Sequence, residues 1–500
     1  MEELNFIIRT NFDCDGITEE IISVLKDRFT LGKAIVLDCN NGQRNRLKGV
    51  EYWSGELIGS HDSLKLREHT HILEPDILEK MLPYKSMAMH IMMRECHYDI
   101  YDRHYLETVY YRHLKFWLSV VEDNQINCII NMTPPHHIGE YILYALAQIK
   151  NIPYVFLNPQ ISSKGVMSGL GTSWDKLGYS IQKNYNNKKK CDCTENDLSE
   201  YMQTAYQSVK NAVIMQSNDV EKLYHENRKQ FLKFVSLGNI LLDRIKIYGV
   251  AIKEAGLETK DIHLKNVERR LMLRRKARKT EKHMDHLNEY MKYSVAPDFS
   301  KPYVYYALHM TPEASTMPQA GEFKEQLLSI EILSKLAVEL NFQVYVKEHW
   351  VQVHRDCDYY KTIAELPNVS LVDIKTNSIE LIQNSIAVST QTGNVIFESL
   401  IKQKPAIVFT SGYLFKGAPN VIQMRSYKEL KEEMKQVLNN SFVINENDVL
   451  RYLKAMDEEM VFSYIDTLEE TSKVYNKENT AKRIVDYLIK YNNMKINNKL

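Results

Sequence analysis

Between two apolar runs, Ile386-Ala387-Val388 and Pro405-Ala406-Ile407-Val408-Phe409, lies the segment Ser389-Thr390-Gln391-Thr392-Gly393-Asn394-Val395-Ile396-Phe397-Glu398, rich in hydroxyls and ending on a carboxylate. The order reads as strand, tight turn, short helix, strand. Such a turn leaves backbone N–H groups over Thr390–Asn394 at the positive end of a helix, where an anion can sit. Glu398 stands four residues after Asn394 on the same helix face, and its side chain leans back toward the turn. A carboxylate beside a phosphate site suits a ribose or sugar hydroxyl, so the segment reads as a nucleotide-sugar pocket. No Gly-Lys-Ser/Thr follows, which excludes a Walker loop.

Two further polar loops leave the ends of expected strands in the same half: His309-Met310-Thr311-Pro312-Glu313-Ala314-Ser315-Thr316-Met317-Pro318 after Tyr303–Leu308, and Lys347-Glu348-His349 after Gln343–Val346. In a parallel sheet all three loops gather on one edge. Together they offer one lysine cation, the imidazoles of His309 and His349 and the carboxylates of Glu313 and Glu398, a set able to neutralise a diphosphate and hold a sugar.

In the first half, Asn131-Met132-Thr133-Pro134-Pro135-His136-His137 follows the strand Cys128–Asn131. The prolines stiffen this loop, and a histidine facing a cleft there can take a proton from an acceptor hydroxyl. Metal ligation by His136 and His137, or capping of the next helix, stand as alternatives. Asp13, Asp15 and Gly16 follow the first strand; they read as the acceptor side of a cleft or as an ordinary turn, since the remaining ligands of a calcium loop are missing.

The elements that must position these residues alternate. Leu4–Arg9, Ala34–Leu37, Cys128–Asn131 and Tyr154–Leu157 read as strands, with helices at Ile17–Lys26, Asp99–Glu122 and Ile138–Ile149. The alternation returns from Tyr303 with the helix Phe323–Leu340 and strands at Val369–Val372 and Ile386–Val388. This is an α/β chain with two parallel-sheet halves. The expected divisions are 1–190, a helical insertion at 191–298, a second Rossmann-like domain at 299–470 and a helical tail at 471–500. The insertion carries Arg269-Arg270-Leu271-Met272-Leu273-Arg274-Arg275-Lys276-Ala277-Arg278-Lys279, either a patch for anionic lipid or glycan at a membrane face or a solvated helix face.

Bulk composition removes other classes. Lys+Arg 64 balance Asp+Glu 64, so no net charge favours nucleic acid. No run reaches the roughly 18 apolar residues of a membrane span, and Met1-Glu2-Glu3-Leu4-Asn5 lacks the features of a secretion signal. The 7 cysteines are scattered apart from Cys191-Asp192-Cys193, which fits reduced thiols and a cytoplasmic setting.

The motifs Leu308-His309-…-Pro312-Glu313-…-Pro318, Lys347-Glu348-His349 and Thr390-Gln391-Thr392-Gly393-Asn394-…-Glu398 resemble those of the capsular polysaccharide biosynthesis protein family, which is similar to Kdo transferases and other GT-B glycosyltransferases. Pro135-His136 with Glu140-Tyr141-…-Leu143-Tyr144 resembles a second motif of that family. The resemblance covers about Tyr303–Asn420 and implies a GT-B fold with an acceptor half and a nucleotide-sugar half. It assigns Lys347, His349, Thr392, Gly393 and Glu398 to the donor and turns His136 toward the reaction centre. Trp350 and Asn394 stand where the family has proline and threonine; Asn394 can still cap the helix.

The resulting expectation is a cytoplasmic, metal-independent glycosyltransferase building a capsular or surface glycan, with Arg269–Lys279 either a peripheral membrane contact or a solvated helix face. His136, Glu313 and His349 are its catalytic candidates. His309, Lys347, Thr390, Thr392, Gly393, Asn394 and Glu398 hold the donor, and Asp13, Asp15 and His137 face a glycan or glycolipid acceptor. The donor, CMP- or UDP-linked, is a substrate, and no separate cofactor is implied. A nucleotide-sugar epimerase, a polyol-phosphate transferase and a non-catalytic glycan-binding subunit are the alternatives.

Overall fold

The computed structural model describes residues 3–10, 16–38, 47–59, 71–95, 103–162, 165–188, 191–212, 286–311, 313–349, 352, 355, 358–463 and 475–494. Asp13, Asp15, Trp350, the basic run Arg269–Lys279 and residues 213–285 of the expected helical insertion lie outside the described residues.

The strands of the first half are β1 (Leu4–Arg9), β2 (Leu31–Asp38), β3 (Glu51–Ser54), β4 (Cys128–Asn131), β5 (Tyr154–Ser162) and β6 (Gly165–Gly171). Those of the second are β7 (Ser294–Val295), β8 (Tyr303–Ala307), β9 (Gln343–Lys347), β10 (Val369–Val372), β11 (Ala387–Thr390), β12 (Ala406–Val408) and β13 (Val421–Gln423), and β14 (Val461–Ser463) follows. The helices used below are α1 (Ile17–Arg28), α2 (Pro75–Glu95), α3 (Arg103–Asp123), α4 (Ile138–Lys150), α5 (Tyr179–Asn187), α6 (Glu200–Lys210), α7 (Leu327–Leu340), α8 (Ser378–Asn384), α9 (Val395–Ile401), α10 (Glu446–Glu459) and α11 (Lys477–Asn492).

Two seven-stranded sheets result, in the orders β14-β6-β5-β4-β1-β2-β3 and β13-β12-β11-β8-β9-β10-β7. The second is parallel throughout. Its central strands are apolar and buried on both faces, as are β1 and β4, because helices cover each sheet on two sides. Each half is thus a Rossmann-like α/β unit built on a mostly parallel sheet.

The strand expected at Tyr154–Leu157 runs on to Ser162 and folds back antiparallel through β6. β6 carries glycines at both ends and in its interior, so neither apolar alternation nor β-branched content marks it in the sequence. The long helix α2, with Pro83 inside it, also goes unmarked; five of its eleven apolar residues are methionines.

After the second sheet the chain returns to the first half. In α10, Tyr452 packs edge-on against Tyr185 of α5, with ring centroids 5.4 Å apart. β14 then pairs with β6, and α11 lies against α1 and β5. Asn492 closes that return: its side chain accepts from the Tyr154 amide at 3.2 Å and donates to the Tyr154 carbonyl at 3.3 Å. The segment after β12 docks on the first half as well. Gly178 has φ +73°, and an added Cβ would meet the Leu414 carbonyl oxygen at 2.1 Å, so glycine is required on both counts.

Candidate functional site

β11, β8 and β9 are neighbours in the second sheet, so the three polar loops that leave them meet at one edge. The loop after β8 is held straight by two side-chain amides acting as substitute strands. Gln326 accepts from the His309 amide at 2.7 Å and donates to its carbonyl at 3.1 Å. Gln352 treats Thr311 in the same way, at 2.7 and 2.6 Å. The carboxylate of Glu313 folds onto its own turn, accepting from the Ser315 amide at 2.8 Å and from the Ser315 hydroxyl.

His309 is buried and its ring lies under the β11–α9 turn. The Thr390 hydroxyl (2.8 Å) and the amides of Gln391 (3.3 Å) and Thr392 (3.1 Å) converge on Nε2. Amides facing that nitrogen require a lone pair there, which places the ring proton on Nδ1. Burial pushes the imidazole down to about 4, against the opposing pull of Glu313, so it is neutral at physiological pH. His309 therefore takes two of the amides that the sequence leaves to an anion. Those of Gly393, Asn394 and Val395 have no acceptor among the described residues. Gly393 rests on the same ring: an added Cβ would lie 2.9 Å from Thr390 Oγ1 and 3.1 Å from His309 Cε1. Asn394 is exposed and makes no side-chain cap, contrary to expectation, because its backbone is already helical at φ −61° and ψ −18°. The Thr392 hydroxyl donates to the Ser315 carbonyl at 3.1 Å, tying the turn to the Glu313 loop.

Lys347 ends β9 and is half-buried. Its ammonium donates to the Thr376 carbonyl at 2.5 Å, on the loop between β10 and α8, and to Oγ of Ser378, the first residue of α8, at 3.0 Å. Burial lowers it to about 8, while Asp373 and Glu398 pull the other way. Burial likewise raises Glu398, and Lys347 is the charge that opposes the rise. No ion pair within 4 Å joins the two among the described residues. The site thus holds a cation with one N–H to spare and a carboxylate of raised basicity, each only partly compensated. The loop after β10 was not read as part of the site. Its signal was present in Asn377, which caps α8 by accepting from Ile379 and Glu380 at 2.8 and 3.3 Å.

Beneath His349 lies a buried ionic knot that the sequence did not announce. Arg355 forks onto Glu348 at 2.6 and 2.8 Å and also donates to the His309 carbonyl at 2.8 Å. The Tyr360 hydroxyl donates to Glu348 at 2.6 Å, and the His286 ring lies 2.7 Å from that hydroxyl. Glu348 in turn accepts from the His349 amide at 2.7 Å. Burial would raise Glu348, but Arg355 beside it holds the carboxyl below its usual range. Burial lowers His349, so at neutral pH this residue is an uncharged hydrogen-bonding group.

In the first half, His137 occupies the N-cap position of α4 with an extended backbone, φ −97° and ψ 156°. Glu140, one turn in, is buried against Arg9 from β1 and accepts from the amides of His136 (3.1 Å) and His137 (3.2 Å). Burial would raise its carboxyl; Arg9 outweighs this and holds it at about 2. His136 Nδ1 lies 2.5 Å from the Pro134 carbonyl, so it carries the proton and leaves Nε2 with its lone pair. Burial lowers the ring below its usual value, and the neutral form dominates at pH 7. Among the described residues no group of three or more His, Cys, Asp or Glu is placed to hold a metal ion.

No protein-family model and no curated protein match the chain. Solved structures do. A β-Kdo 2,7 transferase, KpsC of Thermosulfurimonas dismutans, is 9% identical, with a TM-score of 0.29 over 77% of this chain and 90% of its own. The UDP-GlcNAc 2-epimerase of Neisseria meningitidis, solved with UDP-GlcNAc, is 11% identical, with a TM-score of 0.25 over 98% and 100%. TarM is 15% identical, with a TM-score of 0.23, and the match spans 39% of this chain and about a third (36%) of TarM.

Proposed function

We propose that this chain is a glycosyltransferase that moves a sugar from a nucleotide-activated donor to a surface-glycan acceptor. The observation that carries the reading is the Lys347–Glu398 pair: a part-desolvated cation and a basic carboxylate flanking β8 at the carboxyl edge of an all-parallel sheet. Lys347 suits a donor phosphate and Glu398 a ribose or sugar hydroxyl. The Gly393 and Asn394 amides supply further donors.

In the proposed reaction the acceptor O–H gives its proton to His136 Nε2, and the freed oxygen bonds to the anomeric carbon. The bond from that carbon to the nucleotide phosphate breaks, and its electron pair stays on the phosphate oxygen. The spare N–H of Lys347 meets the developing charge. His349 donates or accepts a hydrogen bond in its neutral form. A capsular product, a CMP- or UDP-linked donor and a cytoplasmic setting complete the proposal.

Calorimetric titration with CMP, CDP, UDP and GDP tests it. Binding of one nucleotide, lost in Glu398→Ala, is the expected result. No binding of any by folded protein would overturn it in favour of a glycan-binding subunit. Release of free sugar from the donor without acceptor would point to an epimerase.

A further inference from the structure

The two halves meet in two physically different ways. On one side the contact is broad, combining packing with surface polar pairs: the Tyr413–Lys416 segment sits on Gly169 and Gly178, α10 lies along α5, Lys416 donates to the Asp175 carbonyl and Asn184 donates to Glu458 and Glu459. On the other, the last turn of α2 presents Arg94 between the loops that carry the candidate chemistry. One guanidinium nitrogen donates to the His136 carbonyl, and the other donates to the Met317 carbonyl at 2.9 Å. Those carbonyls belong to opposite halves, 181 residues apart in the chain by their numbers.

We infer that Arg94 is the positioning residue that clasps the His136 loop to the Glu313–Pro318 loop and so sets the closed alignment of the two halves. Two carbonyls can be bridged by one rigid fork of N–H donors without any matching charge on either loop. Both loops are stiff behind their carbonyls. His136 is fixed by Glu140 and Pro134, and Met317 follows a turn in which the Thr316 and Met317 amides donate to the Glu313 carbonyl at 3.1 and 2.8 Å. Moving either loop therefore moves the other.

The clasp also places a positive charge beside His136. The groups that act on that ring are Glu140 from α4, which raises its basicity, and His137 and Arg94, which lower it; the Pro134 carbonyl holds its Nδ1 proton. Burial is the main reason the ring stays neutral, and Arg94 adds a smaller push the same way, so Arg94 does two separable things: its fork holds the loops and its charge lowers His136 slightly further.

The test uses the full chain and needs no substrate, so its failure is distinct from failure of the glycosyltransferase reading. Small-angle scattering gives the radius of gyration, about 23 Å for a compact chain of this length. His136 is titrated by NMR of its ring Cε1–H. Arg94→Gln is expected to raise both the radius and the His136 midpoint. Arg94→Lys, which keeps the charge but not the fork, is expected to raise the radius and leave the midpoint in place. Folded variants with the wild-type radius would overturn the clasp, even if their thermal stability fell. If Arg94→Gln fails to fold, Arg94→Lys alone decides the question by scattering.

Discussion

Replacing Lys347 with methionine removes a cation while keeping most of its half-buried stem. In the native site two of its three N–H groups are spent on the Thr376 carbonyl and Ser378 Oγ, leaving one for a ligand. A hydrogen bond from a charged group contributes roughly 1.5–3 kcal/mol, which corresponds to roughly 10- to 150-fold in the dissociation constant of the cognate nucleotide. The pH dependence sharpens the prediction. With its pKa lowered to about 8, Lys347 is mostly charged at pH 7 and mostly neutral at pH 9. A bound phosphate holds the proton on, so wild-type affinity falls about tenfold between those values by linkage. Stability of the free protein moves the other way. The unfolded lysine, near its usual 10.5, binds the proton more tightly, so unfolding becomes harder as pH rises from about 8 to 10.5. Calorimetry with UDP and CMP at pH 7, 8 and 9 on both proteins reads the binding, and melting curves read the stability. A Lys347→Met protein that binds the nucleotide as tightly as wild type, with the same pH slope, would refute the assignment of Lys347 to the donor phosphate.

Other consequences follow from the same geometry. Glu140→Gln leaves Arg9 buried without its carboxylate and is expected to destabilise the first half by about 3–5 kcal/mol; the double change Arg9→Met with Glu140→Met should recover much of it in a melting assay. The stability due to the depressed Glu140 carboxyl is full above its usual 4.5 and is lost as pH falls toward about 2, so the melting temperature of Glu140→Gln should respond less to pH in that range than that of the wild type. His309, held at about 4, is protonated first in the unfolded chain; wild-type stability should therefore fall from pH 6.5 to pH 4, and His309→Gln should flatten that slope at the cost of a lower melting temperature at pH 7. Gly393→Ala drives a Cβ against Thr390 Oγ1 and the His309 ring and should cost about 1–3 kcal/mol, together with nucleotide affinity, both read in one thermal-shift titration.

What the sequence determined by itself is local and periodic. Apolar runs bounded by turn residues marked β1, β4, β8, β9 and β11, because strands buried on both faces must be nearly continuous in apolar residues. Polar loops after such strands share an edge in any parallel sheet, so the convergence of the His309, Lys347 and Thr390 loops was legible before any coordinates. Partners distant in the chain were not. Which donors face His309 Nε2 depends on the register of β8 against β11, and the lowered pKa follows from burial that arises only when the sheet is covered. Arg94, Arg9 and Arg355 carry no motif. Each is an arginine on a helix, strand or loop whose meaning comes from a carbonyl or carboxylate brought to it by folding: Met317 and His136, Glu140, Glu348 and His309. The return of the chain end is of the same kind. Helical periodicity in Lys477–Asn492 shows an apolar face, but only the packed first sheet provides α1 and β5 for that face to cover. Side-chain type and spacing state what a residue can do; the protons, charges and neighbours that decide whether it does so are set by tertiary burial, where the dielectric is low and every uncompensated polar atom counts.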